Sequence, residues 1–413
     1  MWQCPTYTMW RSPTYTMRRF AALVCGGLPS PALAVCQAGG ASGRTFINAM
    51  KMSVTLHRLC VAVGLVCLLA SCSDWIYENR DGCEHGIWLS FKYDYNLQRA
   101  DMMEHVGSVG VFVYDEQGRF VTSYIDPDIR RTQPYRMYID LPEGNYQFLA
   151  LAQQRSFESV QAGPGANFVW ETPVAGDAMD DFSLALEADE VDAGWAVVQN
   201  EQEPLDTLWH AVSTEPVYVA ADRYVEHTLS LMRNTKSITV SMREIDEPET
   251  MNVADYDFAI THRGLQLVYD REAADLVSGA DSRTAIYTPY ATWNTGDDDQ
   301  QTLSAMPQAT AAGQTAHAAF MTSRLYASDL PEENARLTIR HRATEHDVVD
   351  VDLCNLLGQL RNYDEIQRYG LQEFLDRGYD FRLTFFLKGG EWQYVDVSIG
   401  VLDWSKRVQN VSL

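Results

Sequence analysis

The chain has 413 residues and carries 32 Lys and Arg against 56 Asp and Glu, a formal charge of −24 at pH 7. Nucleic-acid binding wants a positive surface, and so does electrostatic attachment to anionic lipid, so this balance argues against both. An apolar fraction of 46% is enough for ordinary buried cores, and the length allows two domains once a leader is set aside.

Residues 1–51 hold the string PTYTM twice, at Pro5–Met9 and Pro13–Met17, and no acidic residue. They read as a mis-assigned N-terminal extension, with the true start at Met50 or Met52. Residues 52–71 read as a lipoprotein signal peptide. His57 and Arg58 form a short basic region, and Leu59 to Ala70 is an apolar run. At 1.5 Å per residue that run rises roughly 18 Å, short of the ~30 Å of a bilayer core. Leu69-Ala70-Ser71-Cys72 then resembles a bacterial lipobox. In that motif the cysteine thiol is the nucleophile that takes diacylglycerol, the peptide before it is cut, and the new amine is acylated, as by palmitate. Several acyl chains at about 0.8 kcal/mol per buried methylene make a stable anchor. Lipidation is therefore assigned to Cys72. Beyond it, residues 72–413 hold 26 basic against 56 acidic residues, so attachment rests on acyl chains.

Residues 72–82 read as a polar tether. In GIWLSFKYDYN, Ile87, Leu89, Phe91, Tyr93 and Tyr95 alternate with Trp88, Ser90, Lys92 and Asp94, the period of a half-buried strand. SVGVFVYDEQGRFVTSYI predicts a hairpin that turns at Asp115 to Gly118. Two strands punctuated by Pro142 and Gly144 follow, and Leu141 to Tyr146 (L-P-x-G-x-Y) resembles a turn–strand unit of prealbumin-like sandwiches. Residues 156–215 show less regularity, and the domain boundary is placed near 215. The expected domains are thus 83–215 and 216–413.

In the second domain HTLSLMRNTKSITVSMRE predicts two strands around a turn at Arg233-Asn234-Thr235, with Ile238, Val240 and Met242 alternating. Further strands are expected in DYDFAITHRGLQLVYD, AHAAFMTSRLYAS, ARLTIRH and DVVDVDL. A helix is expected over Tyr363–Arg377, from Ile366, Leu371, Phe374 and Leu375 on one face and Gly378 as its stop. A last hairpin crosses Lys388 to Glu391. The whole predicts a mostly β protein of two tandem β-sandwiches with one or two short helices.

Sites for chemistry are sparse. There is no phosphate loop, no CxxC pair, no HExxH and no nucleophile elbow, so no enzyme and no cofactor is expected. His341, His346 and Asp347, and separately Asp297-Asp298-Asp299, are read as surface groups and not as metal ligands. Trp75, Tyr77, Trp88, Trp195, Trp209, Trp293 and Trp392 are aromatics that could include a sugar-stacking platform, though core packing is the favoured reading. Of eight cysteines only Cys83 and Cys354 remain beyond Cys72. An exported chain permits a bridge between them, and two separate buried thiols is the favoured reading.

The lipobox, SDWIYENRDGC, GIWLSFKYDYNLQRADMM and LTFFLKGGEWQYVDVSIGVLDW, taken in that order, resemble the FimB-like fimbrium-anchor lipoproteins of Bacteroides-type bacteria. Asp74-Trp75-Ile76-Tyr77-Glu78 and Phe91-Lys92-Tyr93-Asp94-Tyr95-Asn96 carry most of the likeness. The resemblance implies two transthyretin-like sandwiches and a surface-exposed lipid anchor in the outer membrane. It also implies a fimbrial stalk subunit as partner, bound by strand complementation, and an influence on fimbrium length by ending assembly. The alternative expectation is a cell-surface lipoprotein that binds glycans through exposed tryptophans.

Overall fold

A computed structural model describes residues 85–97, 105–131, 134–155, 166–279, 281–296, 314–362, 368–399 and 405–409, the last as backbone only. The structure begins with β1 (Ile87–Lys92), whose Ile87 and Leu89 point inward as their period predicts. It lies between β12 (Val225–Ser230), to which it runs parallel, and the antiparallel β4 (Arg136–Ile139). Facing this small sheet is a larger one. Its order is β13 (Met232–Arg233), β10 (Leu208–Val212), β5 (Gly144–Gln153), β2 (Ser108–Asp115) and β3 (Phe120–Asp126), with β11 (Val217–Val219) also pairing β5. Ile87, Leu89, Val111, Val113, Phe148 and Trp209 fill the core between the two sheets.

The larger sheet is buried on both faces, which is why β2 reads SVGVFVYD with almost no polar alternation. Its second face, with Phe112, Tyr114, Leu149 and Leu151, joins a separate and larger core. There it meets β17 (Asp275–Ser278), β16 (Gln266–Asp270), β7 (Ser183–Leu186) and β6 (Phe168–Trp170), a four-stranded sheet in that order. Phe112 and Phe182 touch across this gap with ring centroids 5.3 Å apart.

Two six-stranded sheets form the second sandwich. One orders β19 (Ala291–Gly296), β20 (Gln314–Ser323), β14 (Thr235–Glu244), β23 (Asp380–Lys388), β24 (Glu391–Ile399) and β25 (Ser405–Gln409). The other orders β22 (His346–Asp352), β21 (Arg336–His341), β15 (Tyr256–His262), β18 (Thr284–Tyr287), β9 (Trp195–Val198) and β8 (Asp189–Asp192). Ile238, Val240, Met242, Phe381, Leu383 and Phe385 pack into the core shared with Phe258, Ile260, Leu337 and Ile339. The protein is mostly β with two short α-helices among the described residues, as the sequence predicted.

Local signals act as read. Gly118 takes φ +73° in the β2–β3 turn, and Asp115 Oδ1 accepts from the backbone N–H of Gln117 and Arg119 at 3.0 and 2.8 Å. In L-P-x-G-x-Y the Tyr146 hydroxyl donates to the Pro142 carbonyl at 3.1 Å, folding its ring over Gly144. A Cβ on Gly144 would sit 3.2 Å from that ring, so the glycine and the tyrosine belong to one corner.

Two expectations are corrected. Strand pairing does not part at 215: β7 and β9 precede that position yet pair β16 and β18, while β11, β12 and β13 follow it yet pair β5, β1 and β10. Irregular composition marks loops, whereas sheet membership is set by long-range pairing. The strands expected either side of Arg233–Thr235 form, and they fall in different sandwiches: β12 belongs to the first and β14 to the second, with Asn234 as the crossing point. The helix before Gly378 is α2, Leu371–Arg377, and residues 363–367 lie outside the described residues. A helix that the sequence reading missed, α1 (Leu353–Gly358), starts at Asp352, whose side chain caps the Asn355 N–H at 2.9 Å. Among the described residues no helix is long and apolar enough to cross a membrane.

Candidate functional site

Cys72, Cys83, Trp75, Tyr77 and Asp297 to Asp299 lie outside the described residues. Cys354 is a free, buried thiol on α1, its Sγ 3.7 Å from the Tyr326 carbonyl, and burial pushes its pKa up to about 12. His341 and His346 do come together as cross-strand partners on the β21–β22 hairpin. Asp347 is held by Arg340 at 2.6 Å and His346 by Glu391 at 2.8 Å, and among the described residues no His, Cys and carboxylate group has a metal-binding arrangement.

The tryptophans divide. Trp209 and Trp392 are core residues, and Trp293, partly exposed, stacks on His317 with centroids 5.0 Å apart. Trp88 lies on the outer face of the three-stranded sheet beside its cross-strand partner Tyr138, centroids 5.1 Å apart, and Tyr138 meets Tyr224 at 5.8 Å. The Arg136 guanidinium sits 5.9 Å from the Trp88 ring and pairs Glu226 at 2.5 Å across β1. The Tyr138 hydroxyl donates to the His85 carbonyl at 2.8 Å, so this aromatic row stands where the described chain begins.

A second cluster joins the two sandwiches. The Arg324 guanidinium, just past β20, forks onto the Asp376 carboxylate of α2 at 2.7 and 2.9 Å. Its remaining nitrogen donates to Asp275 at 3.1 Å and to the Leu276 carbonyl at 2.7 Å, both on β17. Asp275 also holds the ring Nε2 of His210 on β10, and the other ring nitrogen of His210 meets the Asn234 amide at 2.8 Å. Burial raises the Asp275 carboxyl, but His210 and Arg324 together outweigh it and hold it well below the usual carboxylate range. Arg233 of β13 lies over the Tyr379 ring at 4.4 Å. A cleft of about 650 Å³ opens beside this cluster, lined by Lys92, Tyr95, His210, Ser230, Asp275 and Arg324 among others.

Lys236 of β14 is the most confined charge. It is fully buried, and its Nζ donates to the carbonyls of Asp376 and Gly378 at 2.9 and 2.8 Å, closing the end of α2. Burial lowers its pKa from 10.5 to about 7, with Asp376 opposing and Arg324 and Arg233 assisting. Between those two pH values the unfolded chain binds a proton that the folded chain lacks. Stability therefore rises with pH across that window, by up to about 1.4 kcal/mol per unit, and the handicap is largest below the folded value. Urea midpoints at pH 7, 8 and 9 should rise in the native protein and stay flatter in Lys236→Met; equal slopes would refute the assignment. Its parity with Ile238, Val240 and Met242 was the sequence signal that pointed it inward.

The fold and this junction define the class: a two-sandwich β protein tied together by a buried polar joint, with its described chain beginning at an exposed aromatic face. Residues 80–410 match the family of fimbrillin-A associated anchor proteins Mfa1 and Mfa2, and the chain belongs to that family. A fimbrial-anchor family implies association with fimbrial subunits at the cell surface. The chain is similar to a crystal structure of an adhesin candidate from Bacteroides thetaiotaomicron, at 26% identity and TM-score 0.63, over 79% of this chain and 99% of that one. A second structure from that organism, described as candidate polysaccharide binding proteins, is 23% identical with TM-score 0.58 over 80% and 100% of the two chains. The fimbrial anchor protein Mfa2 from Porphyromonas gingivalis shares the fold at 16% identity, TM-score 0.53, over 77% and 98%. No curated protein matches the chain.

Proposed function

We propose that this chain is an outer-membrane lipoprotein that fixes a fimbrium to the cell and ends its assembly. Cys72 carries the lipid, and the β body holds a stalk subunit by strand complementation, in which an extended segment completes an open sheet edge. The observation that carries this reading is order along the chain: a lipobox ending at Cys72 stands directly before a body that matches an anchor family from residue 80. The intact mass and membrane partition of the protein from its native host test it. The expected product starts at Cys72 and carries lipid; a soluble, unlipidated product would refute it.

The Trp88–Tyr138–Tyr224 row favours a second reading, capture of glycans by ring stacking. Saturable polysaccharide binding that is lost in Trp88→Ala would support it, and a flat titration would remove it.

A further inference from the structure

β3 closes one side of the six-stranded sheet in the first sandwich, and its outer edge is only partly used. At its start the chain itself supplies a partner. The Phe120 N–H donates to the Asp177 carbonyl at 2.8 Å, the Gly176 N–H to the Phe120 carbonyl at 3.1 Å, and Arg119 and Ala178 form an antiparallel bridge. That partner then turns away, because the Asp177 N–H bonds back to the Val174 carbonyl at 3.0 Å and the Asp177 carboxylate holds the Val174 N–H at 2.8 Å. From Val121 to Asp126 no backbone group among the described residues pairs with this edge.

The exposed side chains here are apolar. Val121 is 41% exposed, Ile125 54%, and Val174, where the native partner turns off, 66%. The strand reads FVTSYID, with no Lys, Arg, Glu or Pro and a single acid at its end. Proteins ordinarily blunt a free edge with charge, proline or a covering loop. Three other edges follow that rule. β8 is Asp-Glu-Val-Asp, β19 is tied through Asn294 to Asn252 and Val253, and the exposed acids of β22 are paired to Arg336 and Arg340. A neutral, β-prone and unblunted edge, already templated in register by residues 176–178, is suited to receive a strand.

We infer that the edge of β3 from Val121 to Asp126 is where this protein takes up an extended segment of a fimbrial stalk subunit. The segment runs antiparallel in line with residues 176–178 and sets apolar side chains against Val121, Ile125 and Val174. This rests on the strand-complementation reading above, and the same open edge would otherwise be a hazard for self-association.

The test uses native-host cells, with their own fimbriae as the probe and the lipobox intact. In Val121→Lys/Ile125→Lys the fraction of fimbriae that stays with the cells should fall at least about tenfold, as a loss of 1.4 kcal/mol or more implies. Membrane partition and melting temperature should remain those of the unmodified protein. Val191→Lys on β8, equally exposed, should change nothing. Should the double variant fail to fold, Ile125→Lys alone carries the test. Fimbriae retained in full by the folded variant, while deletion of the whole gene sheds them, would overturn this edge and leave the anchor reading standing. Fimbriae retained after the deletion itself would overturn both.

Discussion

Arg324→Ala should lower stability by about 3–5 kcal/mol, the cost of removing one partner from a buried ion pair. The Arg324 and Asp376 side chains are 6% and 4% exposed, so neither charge has water to fall back on. Alanine would leave the buried Asp376 carboxylate with the Gln372 amide in place of a cation, take from Asp275 one of the two side chains that hold it, and leave the Leu276 carbonyl without that donor. These groups sit on β17, on α2 and at the end of β20, and Asp275 passes the connection to His210 on β10 of the first sandwich. The loss should therefore appear as a parting of the two sandwiches as well as a lower urea midpoint. Replacing the pair together, Arg324→Met with Asp376→Leu, should recover much of the loss, since apolar residues of similar volume carry no desolvation cost. A single variant within about 1 kcal/mol of the native protein would show that the joint is ornamental.

Cys72→Ala should abolish membrane attachment while leaving export and folding intact. Under the proposed function the lipid on Cys72 is the attachment. Beyond the leader the charge is strongly negative, so an anionic surface repels the protein, and no described helix can span a bilayer. Each acyl methylene contributes about 0.8 kcal/mol, and the thiol is the only group that can start the chain of acylation at that position. Under the proposed function the variant should appear in the medium together with any fimbriae it holds. Immunoblots of cell pellet and medium would read this out. An alanine variant still in the pellet, with its fimbriae, would mean that the attachment lies elsewhere.

Much of the local structure was legible. Ile87 and Leu89 alternate because one face of β1 meets a core, and Asp115 to Gly118 turns because glycine accepts a positive φ. L-P-x-G-x-Y is readable because a tyrosine hydroxyl, a proline carbonyl and a bare glycine fit one corner. The hairpin across Lys388 to Glu391 also forms where expected. α1 escaped notice because Leu353–Gly358 is only six residues, too short for its period to stand out from the strand before it.

The sequence by itself determined what depends on near neighbours: the strand periods, the turns, and a mostly β body. Only the tertiary structure decided which strands share a sheet, since β9 pairs β18 and β12 pairs β1 across scores of intervening residues that no local pattern encodes. It alone decided that Arg324 and Asp376, which composition would assign to a surface, lie buried at the joint. It also left Val121 to Asp126 of β3 without an outer strand partner among the described residues. A charge can be buried only where partners from distant segments converge, and an edge is open only where no distant strand arrives.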